Sequence, residues 1–415
     1  MALCCVAVPA KAQQNKVLTP LVKTLQVVAN GNWMAPPVIG LGGDEYVEIS
    51  FDELTHEYHR YTYKIVHCNA DWTPSDLFET DYLSGFNDNV IEDFQNSLNT
   101  TMLYTHYRFE LPNAEANLLL PGNYRVDIYN NDDDEEGDGE GKLVAQACFS
   151  VITPKVGVSA TVTSNTDIDT NESHQQVSFN INYQAMNVVA PQSEFKVRVY
   201  QNLRTDNVVT DLQPTYILPN QLQYVHNRKL IFDAGNEYRR FEIINVHYAT
   251  QGVERILYFD PYYHAMLYPD QPRLVYSYDE DQDGRYLIRY DMAQDNDTEA
   301  DYLFVHFTLD YEKPLLAGDF YLNGAFTYGG FTPEFAMTYN EQEKAYESIQ
   351  LLKQGAYNWL YLYVPEGATQ GETAPAAGNF YETENEYLVL VYHRPFGGRY
   401  DQLVGMQQVK FTQGE

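Results

Sequence analysis

Apolar residues alternate with polar ones along most of the chain. Val47, Ile49 and Phe51 interleave with Glu48 and Ser50, Tyr61, Tyr63 and Ile65 with Thr62 and Lys64, and Tyr124, Val126 and Ile128 with Arg125 and Asp127. Successive side chains of a strand point to opposite faces, so this period of two predicts strands with one buried and one wet face. The middle of the chain continues it, with Val177, Phe179, Ile181 and Tyr183 against Ser178, Asn180 and Asn182, then Phe195, Val197 and Val199 against Lys196 and Arg198. So does the last third, in 302–309, 345–351, 357–363 and 386–393. No helical period persists for more than two turns. Short strands separated by Gly, Asn, Asp and Pro predict an all-β protein of consecutive antiparallel β-sandwiches, Ig-like or early-set-like, with little helix.

Breaks in the pattern divide the chain. Pro154 follows the strand pattern ending near Phe149 and Val151, and a proline cannot serve a central strand. The polar stretch from Asp291 to Ala300 precedes the apolar run Tyr302-Leu303-Phe304-Val305. These breaks predict three sandwiches, at 20–153, 154–292 and 298–415, in line with about 150 residues per domain. No repeat of solenoid period is present.

Charge narrows the function. Fifty-eight acidic residues against 26 basic ones give a net charge of −32, which repels nucleic-acid backbones and anionic lipid. An aromatic content of 14%, with 36 Tyr, is too high for a disordered acidic chain. Residues 1–12 read as the remnant of a signal peptide, with an apolar run over 1–8 and cleavage after Ala12 in the small-x-small sequence Ala10-Lys11-Ala12, although the positive n-region is missing. Cys4 and Cys5 do not sit in a lipoprotein box. No later stretch is apolar over the ~18 residues a membrane helix needs, so the expectation is an exported, soluble chain without membrane insertion. Cys68 and Cys148 then remain, with no zinc-like spacing. They either bridge, which would be worth about 4–5 kcal/mol, or stand as two separate buried thiols.

Candidate chemistry is sparse. The acidic run 132–140 reads as a solvated hairpin tip rather than a calcium site. Asp279, Asp281 and Asp283 with Gly284 copy the first half of an EF-hand loop, but Tyr290 stands where the bidentate Glu belongs. Asp283-Gly284 is better explained as the turn of a hairpin between strands at 275–278 and 286–290. There is no nucleophile elbow, zinc-protease helix, P-loop or dinucleotide fingerprint, and no catalytic residue or cofactor is expected. His67, His106 and His306 sit within strand patterns, as packed or surface histidines do.

In the last third, Gly318 to Tyr328, Met337-Thr338-Tyr339, the strand 345–351 and Lys353 to Tyr361 resemble the early-set sandwich of starch- and glycogen-binding modules. That resemblance implies Tyr328 and Trp359 as sugar-stacking aromatics, although the tryptophan of the family's turn is replaced near Tyr328. It makes a glycan-binding protein the alternative function.

The order of segments over about 20–410 resembles a single family, the plug proteins of the type IX secretion system. The residues that carry it are Gly43-Asp44-Glu45, Ile49-Ser50-Phe51-Asp52, Val66-His67-Cys68-Asn69-Ala70-Asp71-Trp72, Asp81 to Phe86 and Thr105-His106-Tyr107. They continue with Leu120 to Tyr124, Pro154 to Val158, Gly235-Asn236-Glu237-Tyr238-Arg239-Arg240-Phe241 and Thr383 to Tyr387. The resemblance implies a non-enzymatic periplasmic protein whose partner is the outer-membrane translocon barrel and which closes the barrel's pore. Asp71, Trp72, Tyr238, Arg239 and Arg240 are of the types that dominate binding hot spots. The competing and preferred reading is structural, with Trp72 anchoring a loop and the arginines paired with nearby acids.

Overall fold

A computed structural model describes residues 15–132 and 141–412; the expected leader at 1–12 and residues 133–140 of the acidic run lie outside them. The strands read from alternation are present as Val47–Glu53, Tyr61–Cys68, Gly122–Asn130, His174–Asn182, Phe195–Gln201, Tyr302–Asp310, Ala345–Lys353, Gly355–Pro365 and Glu386–His393. Each helix among the described residues is a turn or so long.

The first sandwich ends with the strand Lys142–Ile152. One of its sheets runs in the order Lys16–Val17, Lys142–Ile152, Gly122–Asn130, Tyr61–Cys68 and Asn89–Val90, with Val38–Gly40 beside Lys142–Ile152. The other runs Val22–Ala29, Val47–Glu53, Thr105–Leu111 and Asp93–Asn96. Ile49, Phe51, Tyr61, Ile65, Tyr107, Tyr124, Val126 and Phe149 fill the space between.

The second and third sandwiches differ from the expected division. Phe195–Gln201 pairs with Glu386–His393 over its whole length, Phe195 opposite His393 and Gln201 opposite Tyr387, and Gln402–Lys410 completes that sheet. It packs on a sheet built around His174–Asn182, with Val177, Phe179, Val197, Val199, Tyr387, Val389 and Val391 in the shared core. The last strands of the chain therefore belong to the middle sandwich, not to a module at 298–415. The third sandwich is an insertion within the middle one, from Arg239–Ile243 to Gly355–Pro365. It claims Arg239–Ile243, Val253–Phe259, Tyr262–Leu267 and Tyr286–Ile288, which the expected boundary at 292 assigned to the middle module. Alternation fixes which residues form strands but not which strands pair across a long separation, and pairing decided the outcome.

Residues 291–300 are no linker. They hold the single-turn helix Asn296–Glu299, capped by the Asp295 side chain on the Asp297 amide, and this turn bonds to the first sandwich. Its polarity serves capping and contact.

The insertion makes a prediction for fragments. A chain cut after Thr383 should lose the middle sandwich, because Phe195–Gln201 then has no sheet partner. Residues 154–233 co-expressed with 384–412 should recover it. Amide hydrogen exchange checks this: protection of Phe195–Gln201 that persists in the truncated chain would contradict the observed pairing.

Candidate functional site

The wet face expected for Val47–Glu53 is dry at Asp52, which is fully buried, because the third sandwich covers it. Asp52 Oδ2 accepts from Lys353 Nζ at 2.6 Å and from the Tyr302 hydroxyl at 2.6 Å, and Oδ1 lies 2.7 Å from His106 Nδ1. Lys353 also donates to the Asp297 carbonyl at 2.7 Å and stands 4.2 Å from the centre of the Tyr104 ring. Burial alone would raise the Asp52 carboxyl. The Lys353 charge and the His106 hydrogen bond outweigh it and hold the group below the ordinary carboxylate range. Asp52 and His106 come from the first sandwich, Lys353 and Tyr302 from the third, so the cluster is a joint. Around it, Asp301 accepts from the Thr101 and Met102 amides, the Tyr104 hydroxyl donates to the Ala300 carbonyl, and Tyr286 donates to the Leu25 carbonyl.

Asp401, fully buried, forms the corresponding joint between the middle and first sandwiches. It accepts from the Ala70 amide, Lys196 Nζ and Arg394 Nε at 3.0, 2.9 and 2.8 Å. Arg198 donates to the Ala70 carbonyl, and the Tyr392 hydroxyl donates to Asn123.

Between the middle and third sandwiches, Arg285 donates to Glu386 at 2.8 Å. Nearby, burial pushes the Glu237 carboxyl up to about 7 and the Asp281 carboxyl up to about 6. These values lie above those of the unfolded chain, so their contribution to stability is full below about pH 4 and is lost as pH rises through 6 to 7. A cavity of about 200 Å³ lies where all three sandwiches meet, lined by Trp33, Val38, Tyr200, Arg285, Tyr328 and Leu388 among others.

The residues singled out in the sequence fall mostly inside these structures. Trp72 is buried against Cys68 and Cys148 in a left-handed backbone conformation, its amide donating to the Asn69 carbonyl, so it anchors its loop. Asp71 is exposed and accepts from the Thr73 amide and hydroxyl. Tyr238 is buried; Arg239 is buried too, bonded to Asp270 at 2.7 Å and lying over the Tyr361 ring. Arg240 is half-buried and pairs with Asp279 at 2.8 Å. The structure thus uses Trp72, Tyr238 and Arg239 internally.

The calcium reading of Asp279, Asp281 and Asp283 fails on geometry. Asp279 is spent on Arg240, and Asp281 accepts from the Tyr238 and Asp283 amides. Among the described residues no three His, Cys, Asp or Glu side chains gather as metal ligands. Asp283 and Gly284 do form a tight turn, both with positive φ, and a Cβ on Gly284 would meet the Tyr238 ring at 2.6 Å. Residues 275–278 are not a strand, so the turn belongs to no hairpin.

Sugar stacking at Trp359 and Tyr328 is likewise overturned. Trp359 is a core residue packed edge-on against Phe241 and Phe307, and the Tyr328 hydroxyl accepts from the Leu25 amide across the joint. Cys68 and Cys148 are buried thiols without a disulfide, which leaves the second of the two expectations. The strand Gly122–Asn130 lies between theirs, so their Cα atoms stand about two strand spacings, ~10 Å, apart, beyond the ~7 Å a disulfide spans. Burial pushes the Cys68 thiol up to about 11.

Asp52, Lys353, Tyr302 and Asp401 were not foreseen as a group. Each occupies a position that alternation assigns to a wet face or a loop, and no local signal distinguishes a solvated acid from one covered by a distant sandwich.

Replacing Lys353 with Met keeps the stem but leaves Asp52 charged and buried. It should cost about 3–5 kcal/mol, read from urea unfolding at pH 7. Adding Asp52→Asn should restore part of that loss. A Lys353→Met chain within about 1 kcal/mol of the parent would show that the pair does not hold the joint.

Residues 22–152 match the family model of the type 9 secretion system plug protein 1st domain. No curated protein sequence gives a significant match. The crystal structure of a hypothetical protein from Parabacteroides merdae ATCC 43184 is similar throughout, with a TM-score of 0.93 and 48% identity, over 97% of this chain and 100% of that one. The first sandwich is thus the first domain of the type IX secretion system plug family.

Proposed function

We propose that the chain is a non-enzymatic periplasmic plug that seats on the periplasmic mouth of the outer-membrane translocon barrel and closes its pore while no substrate passes. One observation carries the reading beyond family membership: the three sandwiches are tied to one another through the charge pairs Asp52–Lys353 and Arg285–Glu386 and through the buried Asp401 carboxylate, which accepts from the Ala70 amide of the first sandwich. A stopper has to keep its shape across the opening it closes, and a body whose parts are already fixed loses little freedom on seating. The third sandwich is also linked at both ends, since the chain enters it from the middle sandwich and returns there. An acidic surface with no gathered catalytic groups suits a body that fills space rather than turns over substrate. None of the described helices is long and apolar enough to cross a membrane. Against the glycan alternative stand the burial of Trp359 in the core and the bond from the Leu25 amide to the hydroxyl of the half-buried Tyr328.

Deleting the gene in the native host should make cells that retain the translocon sensitive to hydrophilic antibiotics too large for ordinary porins. Deleting the barrel as well should restore resistance. Unchanged sensitivity in the single deletion, with the translocon present at normal level, would refute the plug.

A further inference from the structure

The third sandwich carries a sheet face of which the Asp52 joint, through Tyr302 and Lys353, uses only one end. Its five-stranded sheet runs Val253–Phe259, Tyr262–Leu267, Tyr302–Asp310, Ala345–Lys353 and Thr338–Asn340. Val253–Phe259 is an edge strand with a single strand neighbour among the described residues. In an antiparallel pair, every second residue of an edge strand turns its N–H and C=O away from its partner, so this edge presents a ready row of donors and acceptors. Natural edges are usually guarded by lysine, proline or a bulge within the run. Here the register shift lies between Val253 and Arg255, and the following run Ile256-Leu257-Tyr258-Phe259 has no charged residue.

The outward face of the same sheet is apolar where an antiparallel sheet would ordinarily be polar. Register places Phe259 beside Tyr262, Leu257 beside His264, His264 beside Phe304, Phe304 beside Leu351 and His306 beside Ile349. Phe259 is 54% exposed and Ile349 57%. The two imidazoles in this face bond to each other, His264 Nδ1 to His306 Nε2 at 2.9 Å, so these ring nitrogens are satisfied within the face and covering it costs less. An exposed edge and an apolar face that meet along one strand are what an added strand requires: backbone bonds along the edge, and a floor for every second side chain.

Charge points to the kind of partner. Arg255 and Asp260 flank the uncharged run, the exposed Glu254 precedes Arg255, and Glu347 lies further along the same face, so acids outnumber the single basic residue around the strand. A second copy of a chain with net charge −32 is repelled, whereas a segment carrying Lys or Arg is drawn in.

We propose that Val253–Phe259 captures an extended, basic segment of a partner protein as an added β-strand, with alternate apolar side chains of that segment packed beside Leu257 and Phe259. This deepens the plug reading and rests on it for the identity of the partner, which is then the translocon assembly.

The test uses the translocon purified from native outer membrane, with the plug gene deleted, and the full mature chain. Parent chain, a Leu257→Lys/Phe259→Lys variant and a Leu274→Lys/Met292→Lys variant are compared; the last pair alters exposed apolar residues away from this strand. The edge variant should bind at least tenfold more weakly, and the control variant should bind as the parent does. In the parent complex, amides of the Val253–Phe259 strand should gain protection from hydrogen exchange. Equal thermal midpoints for the three chains exclude misfolding as the cause. Equal binding by the edge variant, or binding without added amide protection on that strand, would overturn the proposal and leave the plug reading standing. No binding by the parent chain would overturn both.

Discussion

The buried contact between Asp52 and Lys353 is the constraint on which the arrangement of this molecule turns. A carboxylate and an ammonium removed from water are tolerable only together and only when their remaining bonding capacity is met, as it is here by His106, Tyr302 and the Asp297 carbonyl. Sliding the third sandwich over the first by even one residue would leave one of the charges unpaired in a dry place. The joint is thus selective for a single placement. At Asp401 the lysine and arginine come from its own sandwich, and the placement of the first sandwich is read by the Ala70 amide it bonds.

Tyrosine supplies much of the rest. The largest fully buried side chains are almost all Tyr, among them Tyr61, Tyr104, Tyr124, Tyr302, Tyr357, Tyr387 and Tyr392. A buried phenol provides broad apolar area and requires a partner for its hydroxyl. Those partners are specific: Tyr357 donates to the Lys353 carbonyl, Tyr124 to the Leu120 carbonyl, and Tyr387 to Gln175. The many tyrosines of this chain therefore explain its cohesion more than its adhesion. The hydrophobic surface available to a partner is narrower, and much of it lies on the inserted sandwich at Tyr258, Phe259, Tyr268 and Ile349.

Strand existence was legible in the sequence because alternation is a local consequence of one buried face. Val47–Glu53, His174–Asn182 and Tyr302–Asp310 needed no knowledge of their neighbours. Pairing was not legible: nothing near Phe195 announces that its partner is His393. The polar stretch at 291–300 misled for a related reason, since side chains that cap a turn and bond to another sandwich have the composition of a linker. Trp359 misled through its likeness to a sugar-binding module, where fold similarity and surface chemistry are separate matters. The likeness to the plug family rested on many segments in order along the chain, and those between 22 and 152 fall in the matched first domain.

An assembled, shape-keeping plug makes one direct physical claim, that adding it shuts an open pore. Purified translocon lacking the plug, inserted in a planar bilayer, should show a large steady conductance. Adding the mature chain to the periplasmic side should abolish that conductance in a saturable way. A conductance that persists at saturating chain, with binding verified on the same preparation, would contradict the account.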